Sequence, residues 1–597
     1  MNDLEVIKSK IDIVSFLGEY IELKKAGRNF KALCPFHSEK TPSFVVSPER
    51  GTWHCFGACN MGGDIFEFLC KWENIEFVEA LKILAQKAGI TLSSYQPTEG
   101  LKIKERLYDL NHLASEYYHY ILTSHSLGKK AHEYLKDRGL NDKIIKNFTL
   151  GYAPNSWDAL IRFLKKKKYS QDEMITAGLV IKTDRGTIYD RFRGRLMFTL
   201  RDHRGNIIGF SGRVLDAKVS SEANQGAKYI NTPETPIYIK GNALYGLDKT
   251  AESIRREKEA VIVEGEFDFL SSYQSGVTNI VAIKGSAFTE GQINLLKRYT
   301  ENLKLALDSD FAGLEAAKKG ITAAENAGLN LEVVTLPIGK DPDECIRKDP
   351  SLWKKAVKNT VNIYDFLISN AMQKYDKETV SGKKNIGSYV IPFLSRIGNP
   401  IVLSHYIKLL SKNLDVSYES IELILEKEKK GIKEKPLPSS PVTTTPDRTQ
   451  LLEEHLLSLL LHSTKPKETL EKTIKLLNIS DLKLPTIGKI FEILKNYFQK
   501  NQDLNIKLIS KLLTPEISPT FDKAYLQDID FLTKDEASFT RDLEKTAASI
   551  RIFSLRRTIN SLTTNLKKKD STKEEKEAQN NIKNFLSQIH DLEKRYL

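Results

Sequence analysis

Two short apolar runs, each ending on carboxylates, constrain this chain more than any other feature. Ala260-Val261-Ile262-Val263 runs into Glu264, and Leu303-Lys304-Leu305-Ala306-Leu307 runs into Asp308 and Asp310. Runs of this kind read as parallel strands buried on both faces, and in open α/β sheets the chemistry gathers where such strands end. Side chains alternate along a strand, so Asp308 and Asp310 share a face. Three carboxylates meeting there repel one another by about 4 kcal/mol per pair at ~4 Å and an effective dielectric of ~20, and so ask for a hard divalent cation. Oxygen ligands with no histidine nearby favour Mg²⁺ or Mn²⁺, which keep part of their water and take phosphate oxygens. That is the outline of a phosphoryl-transfer site.

The surrounding segment runs VEGEFDFL (263–270), AIKGSAFTEGQ (282–292), LALDSDFAGLEAA (305–317) and LPIGKDPDE (336–344), with helix-like sequence between the pieces. In this order they resemble a Toprim catalytic domain. Upstream, RFRGRLMFTLRDHRGNIIGFSGR (191–213) and KYINTPETPIYIKGNALYGL (228–247) resemble the basic core of bacterial DnaG-type primases, and the first 70 residues resemble their zinc module. The resemblance implies a multidomain α+β and α/β chain. Its expected parts are a zinc-ribbon-like module (1–100), the basic part of an RNA polymerase core (101–255), a Toprim subdomain (256–345), a helical part of the core (346–428), a linker (429–450) and an all-α bundle ending in a helical hairpin (451–597).

By the same resemblance, Glu264, Asp308 and Asp310 hold magnesium or manganese, two ions in all, with Asp268, Asp341 and Asp343 close behind. Glu264 has a second reading as acid or base, and Asp343 with Glu344 has a second reading as helix-capping charge. Lys228, Asn231 and Lys240, around the turn-rich Asn231-Thr232-Pro233-Glu234-Thr235-Pro236, are expected in the catalytic groove. The sequence departs from the family pattern at Glu266, Phe267, Lys284, Ser286 and Ser309; none of these removes a carboxylate. The implied activity is synthesis of short RNA primers on single-stranded DNA at replication forks, by attack of a 3′-hydroxyl on the α-phosphate of a ribonucleoside triphosphate.

Cys34-Pro35-Phe36-His37 and Cys55-Phe56-Gly57-Ala58-Cys59 give one histidine and three cysteines in paired knuckles, a structural zinc pattern. Three residues separate Cys55 from Cys59 where the family usually has two, so His54 and Cys70 stand as substitute ligands; a core position is the plainer reading for Cys70. Between the knuckles, EKTPSFVVSPERGTWH alternates like an antiparallel ribbon. Lys40, Phe44, Arg50 and Trp53 on it offer charge and stacking to single-stranded DNA, the alternative being that the two aromatics cover the metal site.

Arg191, Arg193, Arg195, Arg201, Arg204 and Arg213 recur among apolar residues, and alternation would put several on one sheet face as a phosphate track. KKGIKEKPLPSSPVTTTPDRTQ (429–450) is too poor in apolar residues to pack and reads as a tether. Beyond it, Ile552, Leu555, Ile559, Leu562 and Leu566, then Ile582, Phe585, Ile589 and Leu592, follow steps of three and four, which predicts an antiparallel hairpin with a turn near Asp570-Ser571. By position this region resembles the helicase-binding domain of the family, implying a replicative hexameric helicase as partner, with a single-stranded-DNA-binding protein beside it.

The 597 residues carry a formal net charge of +13, which suits a polyanionic partner without requiring one. Three of the five cysteines are bunched in the N-terminal knuckles, as metal ligation in a reducing compartment demands. There is no basic-then-apolar start and no bilayer-length apolar stretch, so a cytoplasmic, monomeric protein is expected. No GxxxxGK[ST] loop occurs, which argues against a built-in nucleotide-driven motor. A Toprim topoisomerase or nuclease is another reading, which the zinc knuckles and arginine-rich core fit poorly, and a DNA-binding adaptor without catalysis is a third, against which the intact acidic set argues.

Overall fold

The computed structural model describes residues 3–37, 39, 41–92, 97–215, 227–283, 288–306, 320–325, 327–433, 447–527, 529, 535–566 and 572–597. Asp308, Ser309 and Asp310, with Lys40, Lys284, Ser286 and the Asp570-Ser571 turn, lie outside them. The chain divides into two compact units, residues 97–438 and residues 1–96 with 439–597.

In the first unit, helix Glu99–Ser124 leads into β6 (Gly151–Ala153), the hairpin β7 (Val180–Lys182) and β8 (Ile188–Asp190), β9 (Arg195–Arg201), β10 (Ile207–Val214) and β11 (Tyr229–Asn231). The sheet order is β11-β10-β9-β6, all antiparallel. Helix Glu99–Ser124 lies on it, with Asn111 Nδ2 donating to the Ile207 carbonyl at 3.2 Å and Ser115 meeting Thr199 at 3.1 Å.

The second sheet of this unit is built from β12 (Leu244–Tyr245), β13 (Ala260–Val263), β14 (Ile280–Ile283), β15 (Asn302–Ala306), β16 (Asn330–Val333) and β17 (Val361–Asn362), in the order β12-β14-β13-β15-β16-β17. Its four inner strands are parallel and the two edges antiparallel. Both faces are covered, which is why the strands read as unbroken apolar runs. Ile262, Val281, Leu303 and Leu305 pack with Ile363, Leu367, Val390 and Leu410 of the helices that follow. Val261, Val263, Ile280 and Ala282 pack on the other side with Leu196, Phe198 and Ile208 of β9 and β10. Five helices complete the unit, from Pro350–Lys358 to Tyr418–Lys433. Helices Tyr418–Lys433 and Arg448–His462 each reach into the expected linker, 429–450.

In the other unit, β1 (Lys24–Ala26), β2 (Asn29–Ala32), β3 (Phe44–Ser47), β4 (Thr52–Cys55) and β5 (Gly62–Gly63) form an antiparallel sheet in sequence order. Helix Ile65–Glu73 follows, capped by Asp64 and Glu67 bonding to each other's backbone, and its Phe66, Phe68 and Leu69 enter the module's core. The C-terminal part is all helix around Leu456, Leu460, Phe491, Phe521 and Leu543. It ends in helices Glu536–Leu566 and Thr572–Tyr596, joined through Ile552, Leu555 and Ile589 with Ile559, Phe585 and Leu592 alongside, the hairpin that the periodicity predicts.

Candidate active site and metal centre

The zinc ligands named from spacing converge. One ligand atom each from Cys34, His37, Cys55 and Cys59 lie within 4.8 Å of one another. Cys34 Sγ is 3.6 Å from Cys59 Sγ, and Cys55 Sγ is 3.7 Å from His37 Nδ1. Tetrahedral ligands at about 2.3 Å from zinc stand about 3.8 Å apart, so the donor set fits that ion. Backbone amides turn toward the sulfurs, Phe36 N–H to Cys34 and Gly57 N–H to Cys55, as thiolates require. Burial pushes the Cys34 and Cys59 thiols up, a cost that a bound cation removes. The wider Cys55–Cys59 knuckle is absorbed by Gly57, where a Cβ would stand 2.6 Å from His37 Nε2, and by Asn60 at φ 44°. His54 bonds Asn60 instead, and Cys70 sits on helix Ile65–Glu73, so neither substitutes.

Phe44 and Trp53, offered as stacking surfaces for DNA, are core residues. They stack on each other at 4.9 Å between centroids and are at most 1% exposed. They join Phe16, Leu17, Phe66, Phe68 and Trp72 in the core of the module.

At the second centre, Glu264 follows the last residue of β13 and is exposed, and Val263 is paired with Ala306 of β15. Helix Glu266–Ser275 starts at once. Asp268 turns back so that Oδ2 accepts from Gly265 N–H at 3.1 Å, while its Oδ1 accepts from Asp343 N–H at 3.1 Å. A Cβ at Gly265 would stand 2.7 Å from Asp268 Oδ2, so a side chain there would push that carboxylate aside. Asp268 and Asp343 are thus brought together at the carboxyl end of β13. Asp343 is buried, accepting from Ser271 Oγ at 2.6 Å and paired with the guanidiniums of Arg138 and Arg347. Asp341 caps helix Pro342–Lys348 by accepting from Glu344 N–H at 2.7 Å. Asp343 and Glu344 sit in the first turn of that helix, as their second reading has it, and Glu344 Oε2 accepts from Lys340 N–H at 3.0 Å.

Arg193, Arg195, Arg201 and Arg213, four of the six arginines expected on an open track, are taken up by neighbouring groups, while Arg204 is exposed and Arg191 half-buried. β9 is buried along six of its seven residues. Arg195, 2% exposed, donates to the carbonyls of Gly212 and Ala227 at 3.1 Å and ties β11 to the sheet, and burial lowers its pKa. Arg201 donates to Gly205 O and Thr149 Oγ1. Arg193 donates to Asp190 O and lies 4.3 Å from the Trp157 ring. Arg213 packs over Phe267 at 4.7 Å, beside Tyr134. Alternation fails as a guide because both faces of the sheet are covered. Lys228 and Lys240 are exposed, and Asn231 is half-buried at the end of β11 with an Oδ1 that has no partner among the described residues.

Comparison with known proteins matches four stretches of the chain. Residues 1–100 match the family model described as CHC2 zinc finger, 117–251 the DNA primase catalytic core, N-terminal domain, 261–346 a Toprim-like domain and 364–418 the DnaB-helicase binding domain of primase. A DNA primase of Staphylococcus epidermidis is 34% identical over 526 residues, covering 83% of this chain and 84% of that one. A DNA primase of Clostridium acetobutylicum is 38% identical over 425 residues, covering 70% and 68%. The chain belongs to the bacterial DnaG-type DNA primases. Among solved structures, the zinc-binding and RNA polymerase domains of the Aquifex aeolicus primase are 30% identical, covering 71% of this primase and 99% of that chain at a TM-score of 0.46.

The helicase-binding match in this primase falls before the linker, on residues read from sequence as the helical part of the core, and not on 451–597. Sequence reasoning also missed Arg138. Its guanidinium reaches Asp343 and packs over Phe267 at 4.7 Å. The signal was present in YLKDRGL (134–140), which also supplies Tyr134, but nothing local says which carboxylate a distant arginine meets.

Proposed function

We propose that this DNA primase is a nucleotidyltransferase whose catalytic carboxylates are Glu264, Asp308 and Asp310, with Asp268, Asp341 and Asp343 supporting them. The observation that carries this reading is the corner at the end of β13, where Gly265, Asp268 and Asp343 are hydrogen-bonded beside the exposed residue Glu264. Arg138, Arg347 and Ser271 occupy the oxygens of Asp343, so its part is to hold the corner in place. Glu264, Asp308 and Asp310 would hold magnesium or manganese, which would neutralise charge on the triphosphate. Lys228, Lys240 and Asn231 offer two cations and an amide to a nucleotide or template phosphate, while Arg195 holds the sheet.

In this reading ribonucleoside triphosphates and single-stranded DNA meet at the corner, one structural zinc holds the N-terminal module, and the primase works as a monomer in the bacterial cytoplasm with a hexameric helicase and a single-stranded-DNA-binding protein. The helicase docks through 451–597. A second docking segment, 364–418, is favoured by the family match there. Truncation at residue 446 abolishes helicase stimulation under the first assignment and preserves it under the second.

The deciding experiment is incorporation of labelled ribonucleotides on pooled single-stranded templates with Mg²⁺ or Mn²⁺, comparing the wild type with an Asp308→Ala, Asp310→Ala variant. Short RNA products from the wild type and at least ~10³-fold less from the variant, with DNA affinity within about twofold, are expected. Primer synthesis by the variant at near wild-type rate would move the metals elsewhere.

A further inference from the structure

The N-terminal zinc module and the C-terminal helices belong to one compact unit, and their contact falls on the ribbon read from sequence as a DNA-facing surface. Helix Ser518–Leu526 lies against β3, β4 and β5. At the tip of the β3–β4 hairpin, Arg50 donates through Nε to Asp522 Oδ1 at 2.6 Å, and its Nη2 bonds the same oxygen. Its Nη1 meets Ser510 Oγ, and its guanidinium lies 5.3 Å from the Phe521 ring centroid. The pair is closed off from water, with side-chain exposures of 7% for Arg50 and 15% for Asp522. Beside it, Tyr525 Oη donates to Glu49 Oε2 at 2.5 Å. Arg28, on the turn between β1 and β2, stacks its guanidinium 4.3 Å above the Tyr525 ring.

Helix Ser518–Leu526 thus offers the module a carboxylate for one arginine and an aromatic face for another. These are the two chemistries by which single-stranded nucleic acid is held: anion to guanidinium, and ring to guanidinium. The contact rests on three ring or ion-pair anchors with polar surroundings, and a cavity of about 1310 Å³ lined by Lys8, Trp53, His54, Asp522 and Lys523 lies beside it. Contacts of this kind exchange, because their anchors are individually replaceable by a ligand of the same chemistry.

We propose that the 518–526 helix is an internal competitor of single-stranded DNA for the Arg28–Arg50 surface of the zinc module. Asp522 stands where a phosphate would bind and Tyr525 where a base would stack, so the module engages a template only after this helix is displaced. The idea goes beyond the assignment of primer synthesis, resting on it only for the identity of the competing ligand.

The test uses the full-length zinc-loaded chain with Asp522→Ala and Tyr525→Ala together. Binding of a fluorescein-labelled random 20-nucleotide DNA is followed by anisotropy against salt, and amide hydrogen exchange is followed over residues 44–55. Displacement should raise exchange in that segment and tighten DNA binding about tenfold at low salt. Two released guanidiniums should steepen the log–log salt slope by about 1.4. Unchanged exchange over 44–55 would show that the contact does not form in solution, and raised exchange with unchanged affinity and slope would show that DNA does not use this surface; either result overturns the proposal. Tyr525→Phe, which removes only the hydroxyl bond to Glu49, should move both readouts the same way by a smaller step and guards against misfolding of the double variant. Primer synthesis measured on the same preparations separates the two ideas, since a chain that makes no primers fails the functional assignment whatever the exchange pattern is.

Discussion

Arg195 and Asp190 show how the same side-chain chemistry is used for architecture within a protein that handles nucleic acid. Arg195 satisfies carbonyls of β10 and of the segment leading into β11, a position where a missing guanidinium leaves buried acceptors without donors. Arg195→Ala should cost about 3 kcal/mol, read by urea unfolding, through lost charge-assisted bonds. A phosphate-contacting arginine would instead weaken DNA binding with little change in stability. Asp190 accepts from the backbone N–H groups of Leu160 and Ile161, yet burial pushes its carboxyl up to about 6. A folded pKa above the unfolded value near ~3.9 means that the native state holds more protons between these limits. Its contribution is therefore full below about pH 4 and lost as pH rises through about 6. Thermal midpoints measured from pH 4 to 7 should show this falling component, and Asp190→Asn should remove it.

At the scale of elements, position in the sheet decides what a short motif does. Glu264 is exposed because β13 ends one residue before it, whereas Asp268 is turned back onto Gly265 by the first turn of the helix. In the C-terminal part, Asp481 plays a comparable organising role. Its carboxylate accepts from Arg551 Nη1 at 2.6 and 2.8 Å and from Ser554 Oγ at 2.7 Å, and its carbonyl accepts from Arg557. It is 4% exposed, so truncation would strand a desolvated guanidinium on the long helix Glu536–Leu566. Asp481→Ala should cost about 3–5 kcal/mol and raise amide exchange over residues 548–560, leaving exchange in the six-stranded sheet unchanged. Equal exchange in the variant and the wild type would show that Ile552, Leu555 and Ile589 hold the hairpin without this anchor.

For the whole molecule, the zinc knuckles and the parallel sheet lie in separate compact units with separate cores. Stripping zinc with a chelator should therefore unfold the N-terminal module while the near-ultraviolet signal of residues 97–438 persists, giving two transitions on heating; one shared transition would mean the units are coupled. The sequence by itself determined the four zinc ligands, the runs that became β13 and β15, and the terminal helical hairpin. Each of these is encoded by spacing or periodicity within a few tens of residues. Only the tertiary structure decided that Phe44 and Trp53 are core, that Arg195 holds a sheet edge, that Asp343 is gripped by Arg138, and that Arg50 is sealed against Asp522. Burial and charge pairing depend on what arrives from hundreds of residues away, and alternation along one strand carries no information about whether its second face is covered.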